Sequence, residues 1–188
     1  MNQVDILIQG YNKNDVDPEE FASTTTLIRT GEHNIVTDPG THKSVDTYIN
    51  ALEKYGLTLD DIDYVFLTHD HLDHVRDVAL FPNATVINRW GFHKGDEHPE
   101  QEDEEFEVFP GITRVAAPGH ATSESVLFVD TKIGKVCVAG DVFWYADFGP
   151  EKDPYVLNEK ELQASRKMVL ERADYIIPGH DKMVKVER

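Results

Sequence analysis

The chain predicts an α/β fold of two related halves whose strand ends open onto one crevice. Three observations lead there. Short apolar runs rich in β-formers alternate with stretches of helical spacing along the 188 residues. Two of those runs end alike: "DYVFLTH" (63–69) and "DYIIPGH" (174–180) each pass from Asp-Tyr through an apolar centre to a histidine. The first runs straight into "THDHLDH" (68–74), where His69, Asp70, His71, Asp73 and His74 fall within six residues. Open α/β sheets bind ligands outside the carboxyl ends of their strands, which is where these histidines stand.

The elements follow in order. "VDILIQGY" (4–11) and "STTTLIRTGEHNIVTDPG" (23–40) predict strands, the latter a pair turning at "TGEHN". "SVDTYINALEKYGL" (44–57) has Val45, Tyr48, Ile49 and Leu52 at helical spacing and stops at Gly56. "IDYVFLT" (62–68) predicts a buried strand, and "DHVRDVALF" after the cluster predicts a helix starting near Asp73. "ATVINRW" (84–90) and "TRVAAPGH" (113–120) predict strands, and "SVLFVDTKIGKVCVAGDVF" (125–143) a hairpin turning at "TKIG". "NEKELQASRKMVLERA" (158–173) predicts a helix that leads into the last strand.

Composition narrows the class. A length of 188 residues predicts one domain spanning 1–188, and 40% apolar with 28% charged residues is ordinary for a globular protein. The apolar runs are too short to span a bilayer, and "MNQVDILIQG" has no basic start before an apolar core, so no signal peptide is expected. The single cysteine, Cys137, excludes an internal disulfide and suits the cytoplasm; in "KVCVAGD" it reads as a buried, inert thiol. A net charge of -17 disfavours nucleic acid as a partner and favours a small molecule, although bound cations can reverse the field locally. Much of that charge lies in "DEHPEQEDEEFE" (96–107), expected to be a solvated loop.

Three more polar residues stand at predicted strand ends, each after a glycine: His120 in "APGH", Asp141 in "VAGD" and His180 in "IPGH". Singly, each reads as an ordinary turn residue. Together with the cluster they make five histidines and two aspartates, enough donors for two metal ions.

This pattern resembles the metallo-β-lactamase fold superfamily, with its His-x-His-x-Asp-His motif followed by His, Asp and His at later strand ends. "AAPGH", "CVAGDVFW" and "SRKMVLERADYIIPGH" are most similar to its small members of the domain-containing protein 1 type, whose animal representatives are associated with RNA cleavage. The resemblance implies a four-layer αββα sandwich with the metal site at the strand ends between the halves. It implies that His69, His71 and His120 hold one ion, that Asp73, His74 and His180 hold the other, and that Asp141 bridges them. It also implies that Asp38, in "TDPG", steadies a ligand histidine from behind and that Asp73 orients or deprotonates the attacking water. The cofactor expected is a pair of divalent ions, zinc first, with iron or manganese as alternatives.

The activity expected is metal-assisted hydrolysis of a small ester, thioester, lactone or phosphodiester by a metal-bridging hydroxide. Asp141 stands where the commonest β-lactamases have a cysteine, and the chain ends eight residues after His180, without the C-terminal helical domain of glyoxalase II. Two alternatives share the motif. One is a persulfide dioxygenase-like oxidoreductase with a single iron on His69, His120 and Asp141; the other is an RNA nuclease. Trp144 reads as core sooner than as pocket lining, Tyr145 equally as core or as pocket donor to an oxyanion, and His42, His93 and His98 as ordinary surface histidines in loops. Oligomeric state is not legible: an edge strand or the residues around Met168–Leu170 suit a homodimer contact, but core burial explains them equally well.

Overall fold

The computed structural model describes residues 1–13 and 19–187. In chain order the first elements are β1 (Gln3–Ile8), β2 (Tyr11–Lys13), β3 (Glu20–Ala22), β4 (Thr25–Arg29) and β5 (Asn34–Thr37). Helix α1 (Asp46–Glu53), β6 (Tyr64–Phe66), the single turn α2 (Leu72–Val75), β7 (Thr85–Asn88) and β8 (Gly91–His93) follow. The remainder comprises β9 (Glu105–Phe109), β10 (Ile112–Ala116), β11 (Ser125–Thr131), β12 (Gly134–Gly140), α3 (Glu159–Arg172), β13 (Tyr175–Pro178) and β14 (Val184–Lys185).

These elements form the expected αββα sandwich. One sheet has the order β1-β4-β5-β6-β7-β8 and the other β14-β13-β12-β11-β10-β9. Side-chain alternation along the strands builds three apolar layers. Ile28, Ile35, Phe66 and Ile87 face Leu127, Val136, Val138 and Ile177 between the sheets. On the outer face of the first sheet, Leu27, Val36 and Val65 take Tyr48 and Leu52 of α1. On the outer face of the second, Phe128, Cys137 and Ile176 take Leu162 and Val169 of α3.

The two halves repeat at the level of hydrogen bonds. In each, a helix connects two parallel strands, β5 to β6 and β12 to β13. The Asp63 amide donates to the Asn34 carbonyl at 3.0 Å, and the Asp174 amide to the Lys135 carbonyl at 2.8 Å. Each carboxylate then accepts from the amide of that same residue, both at 2.9 Å. The shared "DY" opening is therefore a structural equivalence that locks each strand beside its neighbour.

Several expectations change. Val45 and Ile49 lie exposed, and α1 instead packs through Tyr48, Ala51 and Leu52. The helix expected from Asp73 ends at Val75, and a separate 3-10 turn covers Val78–Leu80. Asp77 breaks it: its amide donates to the Pro39 carbonyl, and its Oδ2 accepts from the His42 amide and the Tyr48 hydroxyl. Part of the acidic run is a strand, since β9 turns Phe106 and Val108 inward and leaves Glu105 and Glu107 in solvent. An edge strand with one wetted face tolerates that composition. Among the described residues no helix is long and apolar enough to cross a membrane.

Candidate metal centre

The first sheet delivers its donors just beyond β6. Phe66 is the last residue of that strand, and the chain then crosses the sheet end as Thr68-His69 and enters α2, which carries Asp73 and His74. The second sheet contributes His120 after β10, Asp141 directly after β12 and His180 two residues after β13. The structure brings all seven expected residues together. His69, His71, His120 and Asp141 offer donor atoms within 4.8 Å of one another, and so do Asp73, His74 and His180. Asp141 touches both groups: its Oδ1 lies 3.3 Å from His74 Nε2 and from His180 Nε2, while its Oδ2 lies 3.5 Å from His120 Nε2. His71 Nδ1 stands 3.0 Å from His120 Nε2.

Two glycines make this approach possible. A Cβ on Gly179 would sit 1.9 Å from Asp141 Oδ1, and one on Gly40 would sit 1.7 Å from the Asp73 carbonyl oxygen. Any side chain there would push a candidate ligand out of place.

Hydrogen bonds set the tautomer of His69, His120 and His180 so that in the neutral ring Nε2 keeps its lone pair. Asp38 stands behind His69 and His74. Its carboxylate accepts from the Thr68 amide at 2.8 Å and the Thr68 hydroxyl at 2.9 Å, and Oδ2 lies 3.2 Å from His74 Nδ1. With its proton committed to Asp38, the Thr68 hydroxyl accepts from His69 Nδ1 at 3.0 Å. Asp38 does this from a left-handed backbone, φ 44°, a strained conformation of the kind that recurs at functional sites. His180 Nδ1 donates to the Ala22 carbonyl at 3.0 Å, and His120 Nδ1 donates to Asp153 at 2.5 Å.

Charge is distributed accordingly. Burial, then the neighbouring His74, holds the His69 pKa well below the ordinary imidazole value, so its ring is neutral. Burial opposes charge on Asp141 too, but His180 and His74 outweigh it and hold that carboxyl well below the usual carboxylate range. In return, and against burial, Asp141 and Asp38 raise His74, and Asp141 raises His180. Protons on those rings compete with a cation for the same nitrogens, so metal loading releases them.

The donor set fits metal ions on physical grounds. His69 Nε2, His74 Nε2 and Asp141 Oδ1 are buried polar atoms without hydrogen-bond partners, a costly state that a coordinated cation relieves. Harder oxygen and borderline nitrogen donors in this ratio suit zinc, iron or manganese.

The donors open into a cavity of about 540 Å³. Trp144 forms one wall: it stacks on Tyr155 at 5.8 Å and presents its edge to His120 and His180 at 6.0 Å. Phe21, Leu72 and Tyr155 form the rim, and all three are exposed. Tyr145 is not among the lining residues, whereas Tyr155 is. Sequence reasoning also missed Thr68, Asp153 and the buried Glu124. The signal for Asp153 is the Asp-Pro-Tyr turn, in which its Oδ1 accepts from the Tyr155 amide at 2.8 Å. Nothing local links it to His120, 33 residues earlier.

Comparison with known proteins shows the family. The metallo-beta-lactamase superfamily profile matches residues 18–180. Metallo-beta-lactamase domain-containing protein 1 of Xenopus laevis is 31% identical, covering 98% of this chain and 82% of that protein. The human protein of the same name is 33% identical over 82% of this chain, which spans only 60% of its length. N-acyl homoserine lactonase of Bacillus thuringiensis is 25% identical, covering 72% of this chain and 62% of that enzyme. Among solved structures, a Thermotoga maritima protein described as of the metallo-beta-lactamase type superposes with a TM-score of 0.78 at 24% identity, covering 98% of this chain and 99% of its own. The chain belongs to the metallo-beta-lactamase superfamily.

Proposed function

We propose that the chain, as one domain over residues 1–188, is a dinuclear zinc-dependent hydrolase of small esters, thioesters or lactones that carry an apolar group. His69, His71 and His120 would hold one ion and Asp73, His74 and His180 the other, with Asp141 within reach of both, in keeping with the two donor groups. Two such ions supply Lewis acidity and lower the pKa of a shared water to about 7.

The observation that carries the substrate class is the cavity itself. Its rim is apolar at Phe21, Leu72 and Tyr155 and acidic at Glu19, and among the described residues no lysine or arginine lines it. A neutral acyl compound fits those walls, whereas a polyanion meets no basic side chain to take the phosphates that lie beyond the metal ions. The lactonase relative acts on a small acyl compound of this kind.

Asp73 is the catalytic acid–base. Its Oδ2 lies 3.6 Å from His74 Nε2 and from His180 Nε2. Both carboxylates line the cavity, and with its side chain 14% exposed against 5% for Asp141, Asp73 is the more open of the two. There it takes the proton of the attacking water and returns it to the leaving oxygen or sulfur. Trp144 excludes water from the back of the histidines and gives the acyl group a flat surface.

The test begins with metal content of protein purified without added metal, then initial rates on acyl lactones, thioesters, aryl esters and bis-p-nitrophenyl phosphate. Two zinc ions per chain, turnover of an acyl substrate and a loss of about 10²-fold or more in kcat for Asp73→Asn are expected. One iron per chain with oxygen uptake on a thiol persulfide overturns the proposal in favour of an oxidoreductase. Cleavage of the phosphodiester alone overturns it in favour of a nuclease.

A further inference from the structure

A second pair of converging imidazoles stands outside that cavity. His93 ends β8, and the chain returns through Lys94–Glu97 to His98. The return is held by reciprocal hydrogen bonds between Lys94 and Glu97, both 3.0 Å, and by the Phe92 amide on the Pro99 carbonyl at 3.1 Å. On this braced backbone His93 Nδ1 and His98 Nδ1 come within 2.7 Å. The rings are tilted by 53° with centroids 5.0 Å apart, so they aim nitrogens at each other and do not stack. Neither residue lines the seven-donor cavity.

The tautomer of His93 can be derived. Asn88 Oδ1 accepts from the Trp90 amide at 2.9 Å, which identifies that atom as the oxygen. His93 Nε2 lies 3.1 Å from it and must therefore donate. In the neutral ring this leaves the lone pair on Nδ1, facing His98. An oxygen on the far nitrogen, fixing the donor nitrogen, is also how the metal-centre histidines His69, His120 and His180 are arranged.

We propose that His93 and His98 hold a further divalent transition-metal ion, of the nickel, copper or zinc group, through their Nδ1 atoms. Nitrogens 2.7 Å apart, each about 2.1 Å from an ion, subtend an angle of about 80°. That is near the right angle of adjacent positions in square-planar or octahedral coordination and tighter than a tetrahedron, which favours nickel or copper over zinc. In the candidate metal centre the corresponding separation, His71 Nδ1 to His120 Nε2, is 3.0 Å. Water completes the coordination, because His98 is exposed and His93 half-buried. The surrounding field also favours a cation. Across residues 91–107 Lys94 is the sole basic side chain against eight acids, of which Glu104 and Glu105 are occupied by Arg89 and Arg172. Burial, then His98, lowers the His93 pKa, so a cation meets a neutral ring.

The experiment titrates Ni2+ into the protein as purified, after its resident metal has been quantified, and follows heat and the side-chain NMR signals of the histidines. One further Ni2+ per chain is expected, with paramagnetic broadening confined to His93 and His98 and no release of the resident metal. His98→Ala and His93→Ala should each weaken that ion about tenfold or more, and both sites are peripheral enough to leave the fold intact. The proposal is overturned if no further ion binds, in which case the two nitrogens share a proton. It is overturned equally if binding survives both substitutions or if Ni2+ only displaces the resident metal.

Discussion

Asp38 reaches two candidate ligands at once, His74 directly and His69 through the Thr68 hydroxyl. Asp38→Ala should therefore weaken retained metal about 10–100-fold, whereas Thr68→Val disturbs only His69 and should cost less. Competition against a chelator, read as metal per chain, separates the two. Asp153→Ala should fall in the same range through His120 alone, a loss no sequence motif would anticipate. Glu124 makes a different prediction. Burial, then Asp141, holds its carboxyl well above the usual range, and it accepts from the Ala121 amide beside His120. Folded Glu124 binds its proton more tightly than unfolded Glu124, so its stabilising contribution is full below the unfolded carboxylate pKa. That contribution is lost as pH rises through the raised folded value. Glu124→Gln keeps a neutral amide there, so it should melt above the parent near pH 8 and level with it near pH 4. Equal melting at both pH values would contradict this.

At the scale of elements, α1 shows how helical spacing can be right while its face is misplaced. Val45, Tyr48, Ile49 and Leu52 all fit a helix, yet the sheet accepts Tyr48 and Leu52 and leaves Val45 and Ile49 in solvent. Leu52→Ala should cost about 3 kcal/mol in urea unfolding, while Ile49→Ala should cost no more than about 0.5 kcal/mol. Comparable losses would mean that the helix is rotated. The split after α2 has the same origin: Asp77 has better partners in Pro39, His42 and Tyr48 than in a continued helix. Helix α3 kept its expected range because its start is local, with the Asn158 side chain accepting from the Glu161 amide at 3.3 Å.

For the whole molecule, the seven donors divide between the sheets. His69, His71, Asp73 and His74 follow β6 of one, while His120, Asp141 and His180 follow β10, β12 and β13 of the other. Ions held in the two groups would tie the sheets together at one end, because Asp141 of the second sheet reaches His74 of the first. Chelation should lower the melting temperature, and zinc should restore it, since a ligand that binds only the folded state stabilises it by mass action. An unchanged melting temperature after verified metal removal would show that the sandwich holds without that tie.

By itself the sequence determined the alternation of strands and helices, the family, the seven candidate donors that the fold gathers and the repeated "DY…H" strands. Each of these is written in periodicity, local capping or motif spacing, which one stretch of chain carries alone. The tertiary structure decided which face of α1 is buried, that β9 closes a sheet edge with acidic residues outward, and that Tyr155 rather than Tyr145 faces the cavity. It also decided the partners behind the histidines, Thr68 and Asp153, and the meeting of His93 with His98. Those outcomes depend on contacts between segments brought together only by folding. Their energies are set by packing and hydrogen-bond geometry, neither of which local sequence encodes.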